Sequence, residues 1–534
     1  MILNLFDRIG NWNPQLFREI KGRLKIGNIA IASAISLSAQ LLLFMYFSAL
    51  IPVAPPRGEY TYPIHRTFCT FDDPNHYSYE KKCVRDALGN FAINWSEWWS
   101  QIFMWLSILS VLALLVAGTY MLVSDLDKEE KRGTLNFIRL SPQSAKTIFI
   151  GKILGVPILL YLAAILAVPL HLYSGLAAQI PLNEIFCFYI AVLASCALFY
   201  SAAMLFGLTT SWLGGFQPWL ASGMAFVMCW ISGLGLSMIY ESQWFYLPVN
   251  KNIAIGHALS LLVCGTGIYW LWQGWQRRFP NPSATVLSKQ QSYLVVICYQ
   301  VIMLGFSFQV SASAYPSNRG YLLLLNLLMF LALIAALTSD RQSLYDWARY
   351  RQQIVPSSKK LWRRYPLLDL IWSEKSPAVV AIAINLFISV IIFIPWMLFQ
   401  KIETREFWRV ICCLNLILIY ATITQLFLFT KNRNREIWAA GTVASAILLP
   451  PLILDMLSIA PATAPILWLS STFPILWLSS TFASFWYSSY FIGLENTILF
   501  SILSQWTVLV LLNLKLRSQL KLAGQSASKA LLKA

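Results

Sequence analysis

The chain has 534 residues, of which 57% are hydrophobic and only 12% are charged, and its mean hydropathy is +0.60. A soluble globular domain carries about 25% charged residues, so this chain has too few charges to cover a water-facing surface of its size. Its net charge of +17 does not indicate nucleic-acid binding, because the basic residues lie in short connectors between apolar runs.

Residues 1–27 form a polar, basic entrance segment ahead of the first apolar run. Asn13 suits a helix N-cap and Pro14 suits the first helical position, so a helix is predicted to begin here. Its apolar residues share one helical face and its cations the opposite one: Leu16, Phe17, Ile20 and Leu24 against Arg18, Lys21 and Lys25. This pattern predicts an amphipathic elbow in the membrane interface, with its cations facing lipid phosphates.

Twelve apolar runs are long enough to cross a membrane as helices, which takes about 20 residues each. The sequence therefore predicts an all-α polytopic membrane protein with about 12 transmembrane helices. The predicted spans are 28–52, 101–124, 147–171, 184–208, 218–240, 254–275, 293–313, 320–338, 378–400, 409–430, 437–457 and 490–513.

The distribution of Lys and Arg predicts the orientation. If the N-terminus faces the cytoplasm, 30 of the 40 basic residues fall in cytoplasmic segments and 10 in outside segments. Both termini are therefore expected to be cytoplasmic, in a multi-pass protein of the cell membrane (inner or plasma membrane).

Two of the nine cysteines, Cys69 and Cys83, lie in the large predicted outside loop. A disulfide between them is expected if that side is oxidising, and two free thiols are the alternative.

The connector after the second span, 125–146, is the most informative segment. A charged run, 125–132, ends at Gly133, and a short stretch with Leu135, Ile138 and Leu140 follows. Ser141-Pro142 breaks this stretch and can cap the helix that leads into the third span. The pattern predicts a small, partly apolar helix able to dock into a groove on a partner, and a solvated charged face is the alternative.

Taken together, these segments resemble the permeases of the type-2 exporter class of ABC transporters over residues 1 to about 275. The matching positions are Asn13, Pro14, Glu19, Glu130, Gly133, Thr134, Leu135, Leu140, Ser141, Pro142, Gly151 and Lys152. The resemblance implies a six-span core, 28–275, whose connector carries a coupling helix that contacts a separate ATPase subunit. The implied coupling residues are Glu130, Gly133, Thr134, Leu135, Ile138, Leu140 and Pro142. Many members carry an acidic residue after Gly-Thr-Leu, where this chain has Asn136.

Residues 276–534 add six further predicted spans. From about 355 they weakly repeat the order of the first half, with an elbow-like segment at Tyr365-Pro366 and a basic connector followed by Gly441-Thr442. A degenerate second permease-like unit and unrelated added spans are the two interpretations.

No catalytic or metal site is predicted. The phosphate-binding pattern Gly-x-x-x-x-Gly-Lys-Ser/Thr is missing, since Gly151-Lys152 is followed by Ile153. No histidine has an i,i+4 partner suited to a metal, and His171, which lies near the outer end of its span, is interpreted as snorkelling to the interface.

The expected function is the permease subunit of an ATP-driven exporter that has no ATPase site and no cofactor of its own. A secondary transporter and a non-transporting membrane scaffold are the alternatives. The expected partners are an ABC ATP-binding subunit, membrane lipid, and a second copy or another permease chain, with no nucleic acid. No residue pattern identifies the substrate.

Overall fold

The computed structural model describes residues 8, 10–53, 68–70, 83–86, 89–239, 243–249, 253–307, 317–352, 366–399, 404–432, 434–459, 467–468 and 495–524. These residues are mainly α-helical, with one small antiparallel hairpin of Gln243–Trp244 and Leu247–Pro248. The chain forms two compact units: Met1–Ile231 with His257–Leu271, and Ser232–Gly256 with Trp272–Ala534.

Seven helices lie wholly in the first unit. They are α1 (Pro14–Arg23), α2 (Ile26–Ala49), α3 (Trp95–Lys131), α4 (Thr134–Leu140), α5 (Ala145–Gly155), α6 (Ile158–Ala177) and α7 (Leu182–Thr209). The next two, α8 (Gln217–Ile239) and α9 (Ile253–Arg278), contribute residues to both units.

The remaining helices belong to the second unit. They are α10 (Lys289–Ser307), α11 (Ser317–Leu337), α12 (Arg341–Gln352), α13 (Pro366–Trp372), α14 (Ala378–Phe399), α15 (Thr404–Leu428), α16 (Arg435–Met456) and α17 (Glu495–Gly524). The core of this unit is apolar and includes Val296, Phe330, Ile382 and Ile417, so α10, α11, α14 and α15 pack together.

The protein is an all-α, multi-pass membrane protein. A helix lies at each of the twelve predicted positions. Among the described residues, nine helices are long and apolar enough to span a membrane, or ten if the bent pair Leu322–Leu337 and Arg341–Tyr350 forms one span. Helices suit these segments because lipid offers the backbone no hydrogen-bond partners.

The predicted third span, 147–171, is wrong at its start. α5 ends at Gly155 and α6 begins at Ile158, with Val156 and Pro157 between them. Proline has no backbone N–H to continue the helical ladder, so the helix breaks here. The span is Ile158–Ala177, and Gly151 and Lys152 lie before it on a separate helix.

Helix α3 is much longer than the predicted span 101–124 and contains a π-helical turn, Ala113–Ala117. Tyr200 of α7 donates a 2.8 Å hydrogen bond to the carbonyl oxygen of Leu114 in this turn. A Cβ on Gly118, just after the turn, would lie 2.2 Å from the Tyr200 hydroxyl oxygen. The glycine therefore lets the tyrosine reach the backbone.

Cys69 and Cys83 form a disulfide, with their Cα atoms 5.4 Å apart. Short backbone pairings hold the segment, because Thr70 N–H donates to the carbonyl of Ala92 and Val84 N–H donates to that of Thr70. Of the two sequence-based alternatives, the structure has the disulfide.

The second half differs from the first where the sequence suggests a repeat. Gly441 and Thr442 lie inside α16, which begins at Arg435, whereas Gly133 and Thr134 lie at the start of the short connector helix of the first half, and the second permease-like unit stays a prediction. The elbow-like helix α13 is held from α10, because the buried Lys289 donates to the carbonyl oxygen of Leu370 at 2.6 Å.

Candidate coupling site

The connector helix α4 follows α3 after a sharp turn at Gly133. Gly133 has φ +72°, a left-handed conformation that glycine adopts without steric cost, and its N–H donates to the carbonyl of Glu130. The Thr134 hydroxyl then donates to the carbonyl oxygen of Glu129 at 3.1 Å. These contacts fix the start of α4 against the last turn of α3.

Other backbone features limit the length of α4. The Ser141 hydroxyl donates to the carbonyl oxygen of Ile138 at 2.7 Å, Ser141 itself is extended, and Pro142 follows. The predicted cap of the next helix is wrong by three residues, because Ser144 rather than Ser141 accepts the N–H of Thr147 at the start of α5.

Helix α4 has two apolar faces, and only one is exposed. Leu135 and Ile138 are buried within this chain, whereas Phe137 and Leu140 are 78% and 87% exposed. Positions three apart share a helical face, so each pair forms one side of α4. The docking role predicted for Leu135 and Ile138 is therefore corrected: they hold the helix in place. The exposed side, here called the free side of α4, consists of Leu140 and Phe137. The sequence analysis did not predict a coupling role for Phe137.

The other coupling residues that the resemblance implies lie next to the two ends of α4. Glu130 is exposed at the end of α3, and Gly133, Thr134 and Pro142 shape the turns on either side of the helix. Asn136, which stands where many exporter permeases carry an acid, accepts a hydrogen bond from Arg139 at 2.9 Å.

The elbow helix α1 packs directly on α5. The Asn13 side chain caps α1 by accepting the N–H of Leu16 and also donates to the carbonyl oxygen of Thr147, both at 2.9 Å. Glycines make this approach close: a Cβ on Gly151 would lie 2.8 Å from the backbone nitrogen of Leu16, and one on Gly155 would lie 2.5 Å from the Cβ of Glu19. The Asn-Pro and Gly-Lys motifs thus meet, although about 130 residues separate them.

Beside this contact lies a group of charged residues from three segments, here called the ionic cluster. It consists of Arg18, Glu19 and Arg23 of α1, Asp125 and Glu129 of α3, and Lys152 of α5. Three carboxylates face three cations, so the cluster is neutral overall.

Lys152 is the centre of the ionic cluster. Its side chain is 0% exposed, and its ammonium nitrogen lies 2.6 Å from a carboxylate oxygen of Asp125 and 2.7 Å from one of Glu129. Burial lowers the pKa of Lys152, but the carboxylates of Asp125, Glu129 and Glu19 raise it, and the net shift is upward. The lysine is therefore charged, and its loss would leave buried carboxylates without their main counter-ion.

Carboxylate oxygens of Glu19, Asp125 and Glu129 lie within 4.8 Å of one another, a spacing that suits a metal ion. The ammonium group of Lys152 lies among these oxygens and balances their charge together with the two arginines. The arrangement therefore indicates a structural cluster of ion pairs. These ion pairs connect α1, α3 and α5.

Sequence reasoning did not single out Asp125 and Glu129. The resemblance indicates Glu130 instead, but Glu130 is exposed and its neighbour Glu129 faces Lys152. The i,i+4 spacing of Asp125 and Glu129 is a usable signal, since it places both on one face of a helix.

His171 is buried among helices rather than snorkelling to the interface as predicted. Its two ring nitrogens lie 2.8 Å from the Ser107 hydroxyl and 2.8 Å from the Tyr189 hydroxyl. The Ser107 hydroxyl also lies 2.8 Å from the carbonyl oxygen of Phe103. The histidine thereby links α3, α6 and α7.

Searches of protein-family models, curated proteins and solved structures give no match to this chain.

Proposed function

We propose that this chain is the membrane-spanning permease subunit of an ATP-driven ABC exporter and that a separate ABC ATPase subunit supplies the energy. The observation that carries the proposal is the free apolar side of α4, Phe137 and Leu140, on a helix that the chain itself holds in place. Exposed aromatic and aliphatic anchors on a rigid helix suit a groove on a partner protein.

The ionic cluster supports the same function. Asp125 and Glu129 lie in the last two turns of α3, immediately before α4, and both pair with Lys152 of α5. A displacement of α4 by a partner would therefore reach α1 and α5, and through them the spans α2 and α6. This is the route by which ATP hydrolysis would act on the membrane helices.

The proposal includes the topology of the chain: about 12 spans in the cell membrane, with both termini and α4 cytoplasmic. Single cysteines at Asn136 of α4 and at Asn183, near the start of α7, test it because both positions are exposed. An impermeant maleimide applied to intact cells is expected to label Asn183→Cys, and to label Asn136→Cys only after permeabilisation. The reverse pattern would overturn the orientation.

The coupling role is tested with the double substitution Phe137→Asp and Leu140→Asp. Both side chains are exposed and lie outside the spans, so the charges should leave folding and insertion intact while removing the docking face. Loss of two interface anchors should cost about 2 kcal/mol or more, roughly thirty-fold in affinity. The measurement is affinity purification from native membranes at equal expression, with mass spectrometry of the retained ABC ATPase.

Asn136→Asp is the matched control, because it adds a charge to the same exposed helix but keeps Phe137 and Leu140. It is expected to retain the ATPase as wild type does. If wild type retains no ABC ATPase, the permease proposal fails. If the double variant retains as much as wild type, α4 is not the coupling contact.

A further inference from the structure

Exposed cations lie at both ends of α4. Lys128 lies in the last turn of α3, and Arg132 directly follows this helix, two residues before α4 begins. Lys146 lies in the first turn of α5, after α4. All three side chains are exposed, and these three residues are here called the cationic border of α4.

This chain does not neutralise the cationic border. Residues 131–152 contain no Asp or Glu. Within the part of the chain that the structure describes, the three side chains of the border form no ion pair, whereas the neighbouring Lys131 pairs with Asp127 at 2.5 Å. The charge of the border is therefore available to a partner.

The exposed carboxylate nearest to the border in sequence, Glu130, lies on another face of α3. Lys128 and Arg132 are four residues apart and share one helical face. Glu130 is midway between them in sequence, so it is rotated by about 200° from each and faces the opposite side. The helix α4 itself adds Arg139 and no carboxylate, because Asn136 stands at the position that is acidic in many exporter permeases. The surface at the ends of α4 therefore carries a net positive charge.

The length of α3 favours a protein rather than lipid phosphates as the partner of these cations. The helix has 37 residues and is therefore about 55 Å long, whereas a bilayer with its headgroups is about 40–45 Å thick. Trp95, Trp98 and Trp99 at its start are typical of a membrane–water interface. The last turn of α3, with Lys128, then lies about 10 Å beyond the opposite headgroup layer.

We propose that α4 docks into an apolar groove bordered by Asp or Glu side chains, which pair with the cationic border while Phe137 and Leu140 enter the groove. The inference rests on the proposed function, because the ABC ATPase subunit is the protein that carries this groove. Opposite charges around an apolar contact accelerate association and exclude wrong partners. Exposed charge pairs also weaken as salt screens them. The cationic border therefore selects which ATPase subunit binds and makes that binding sensitive to salt.

The test is the double charge reversal Lys128→Glu and Arg132→Glu, compared with wild type by affinity purification from native membranes in about 50 mM and about 500 mM NaCl. The measured quantity is the amount of ABC ATPase retained, by mass spectrometry. The reversed variant should retain roughly tenfold less than wild type at the lower salt concentration, and this difference should shrink at the higher one. The neutral variant Lys128→Gln and Arg132→Gln should lie between the two.

Lys515→Glu with Arg517→Glu is the matched control, because these two cations of α17 are also exposed. It should retain the ATPase as wild type does at both salt concentrations. If the reversed variant does not fold, the neutral variant decides, and its retention equal to wild type at the lower salt concentration would overturn the inference.

The outcomes separate this inference from the proposed function. If wild type retains no ABC ATPase, both fail. If Phe137→Asp with Leu140→Asp loses the ATPase but the charge reversal retains as much as wild type, the coupling role of α4 stands and the acidic groove is overturned. Loss of co-purified anionic phospholipid from the reversed variant, with unchanged retention of the ATPase, would assign the cations to lipid headgroups and would also overturn the inference.

Discussion

Lys152→Met is expected to destabilise the first unit by about 3 kcal/mol or more, because it removes the buried cation from the ionic cluster while three carboxylates stay in place. Removing one partner of a buried ion pair leaves an uncompensated charge, which typically costs 3–5 kcal/mol. Lys152 is completely buried, and the Glu19, Asp125 and Glu129 side chains around it are 9%, 17% and 13% exposed. Thermal unfolding in detergent, compared with wild type, measures the effect.

Lys131→Met is the matched control for this prediction. Lys131 also forms an ion pair, with Asp127, but its side chain is 55% exposed, so its loss should cost less than about 1 kcal/mol. Adding Asp125→Asn to Lys152→Met should restore part of the stability, because the two remaining carboxylates then face two arginines and the cluster is neutral again. Equal stability of the two single lysine variants would show that the cluster is not the linkage described here.

Gly151→Ala is expected to loosen the elbow helix α1 from α5 at a cost of about 2 kcal/mol. The added Cβ would lie 2.8 Å from the backbone nitrogen of Leu16, 2.8 Å from the Gln15 Cβ and 2.9 Å from the side-chain oxygen Oδ1 of Asn13. Backbone cannot rotate away as a side chain can, so all of α1 would have to shift, and overpacking of this kind typically costs 1–3 kcal/mol. Hydrogen exchange of the amides of α1 should become faster.

Gly22→Ala gives the control within α1 itself. A Cβ at Gly22 meets nothing within 4 Å, and alanine favours helix more than glycine does. This variant should exchange as slowly as wild type or more slowly. If Gly151→Ala leaves exchange in α1 unchanged, the close contact between the two helices is not part of the stable fold.

The class of the fold could be predicted from the sequence because long apolar runs have one stable arrangement in lipid. The ends of the helices were harder to predict from the sequence than the class of the fold. The break at Pro157 lies inside an apolar run, so composition alone does not separate α5 from α6. α3 continues to Lys131 because its charged last turns are stabilised by pairing, including Asp127 with Lys131.

The candidate site was predictable in position but not in orientation. The sequence places Leu135 and Ile138 on one side of a short helix and Phe137 and Leu140 on the other, yet both sides are apolar. Which side of α4 packs against the rest of the protein depends on tertiary contacts, and a helical-wheel projection of the sequence does not show these contacts. The choice of Glu129 over Glu130 as the partner of Lys152 has the same origin.

The π-helical turn of α3 has a geometric consequence for the ionic cluster. Such a turn adds one residue to a helix, and in an α-helix each residue advances the azimuth by about 100°. The part of α3 after Ala117 is therefore rotated about the helix axis by about that angle, relative to an uninterrupted α-helix that begins at Trp95. Asp125 and Glu129 face Lys152 only with this phase offset. A single inserted residue near mid-helix thus sets which way the carboxylates point more than a turn further along.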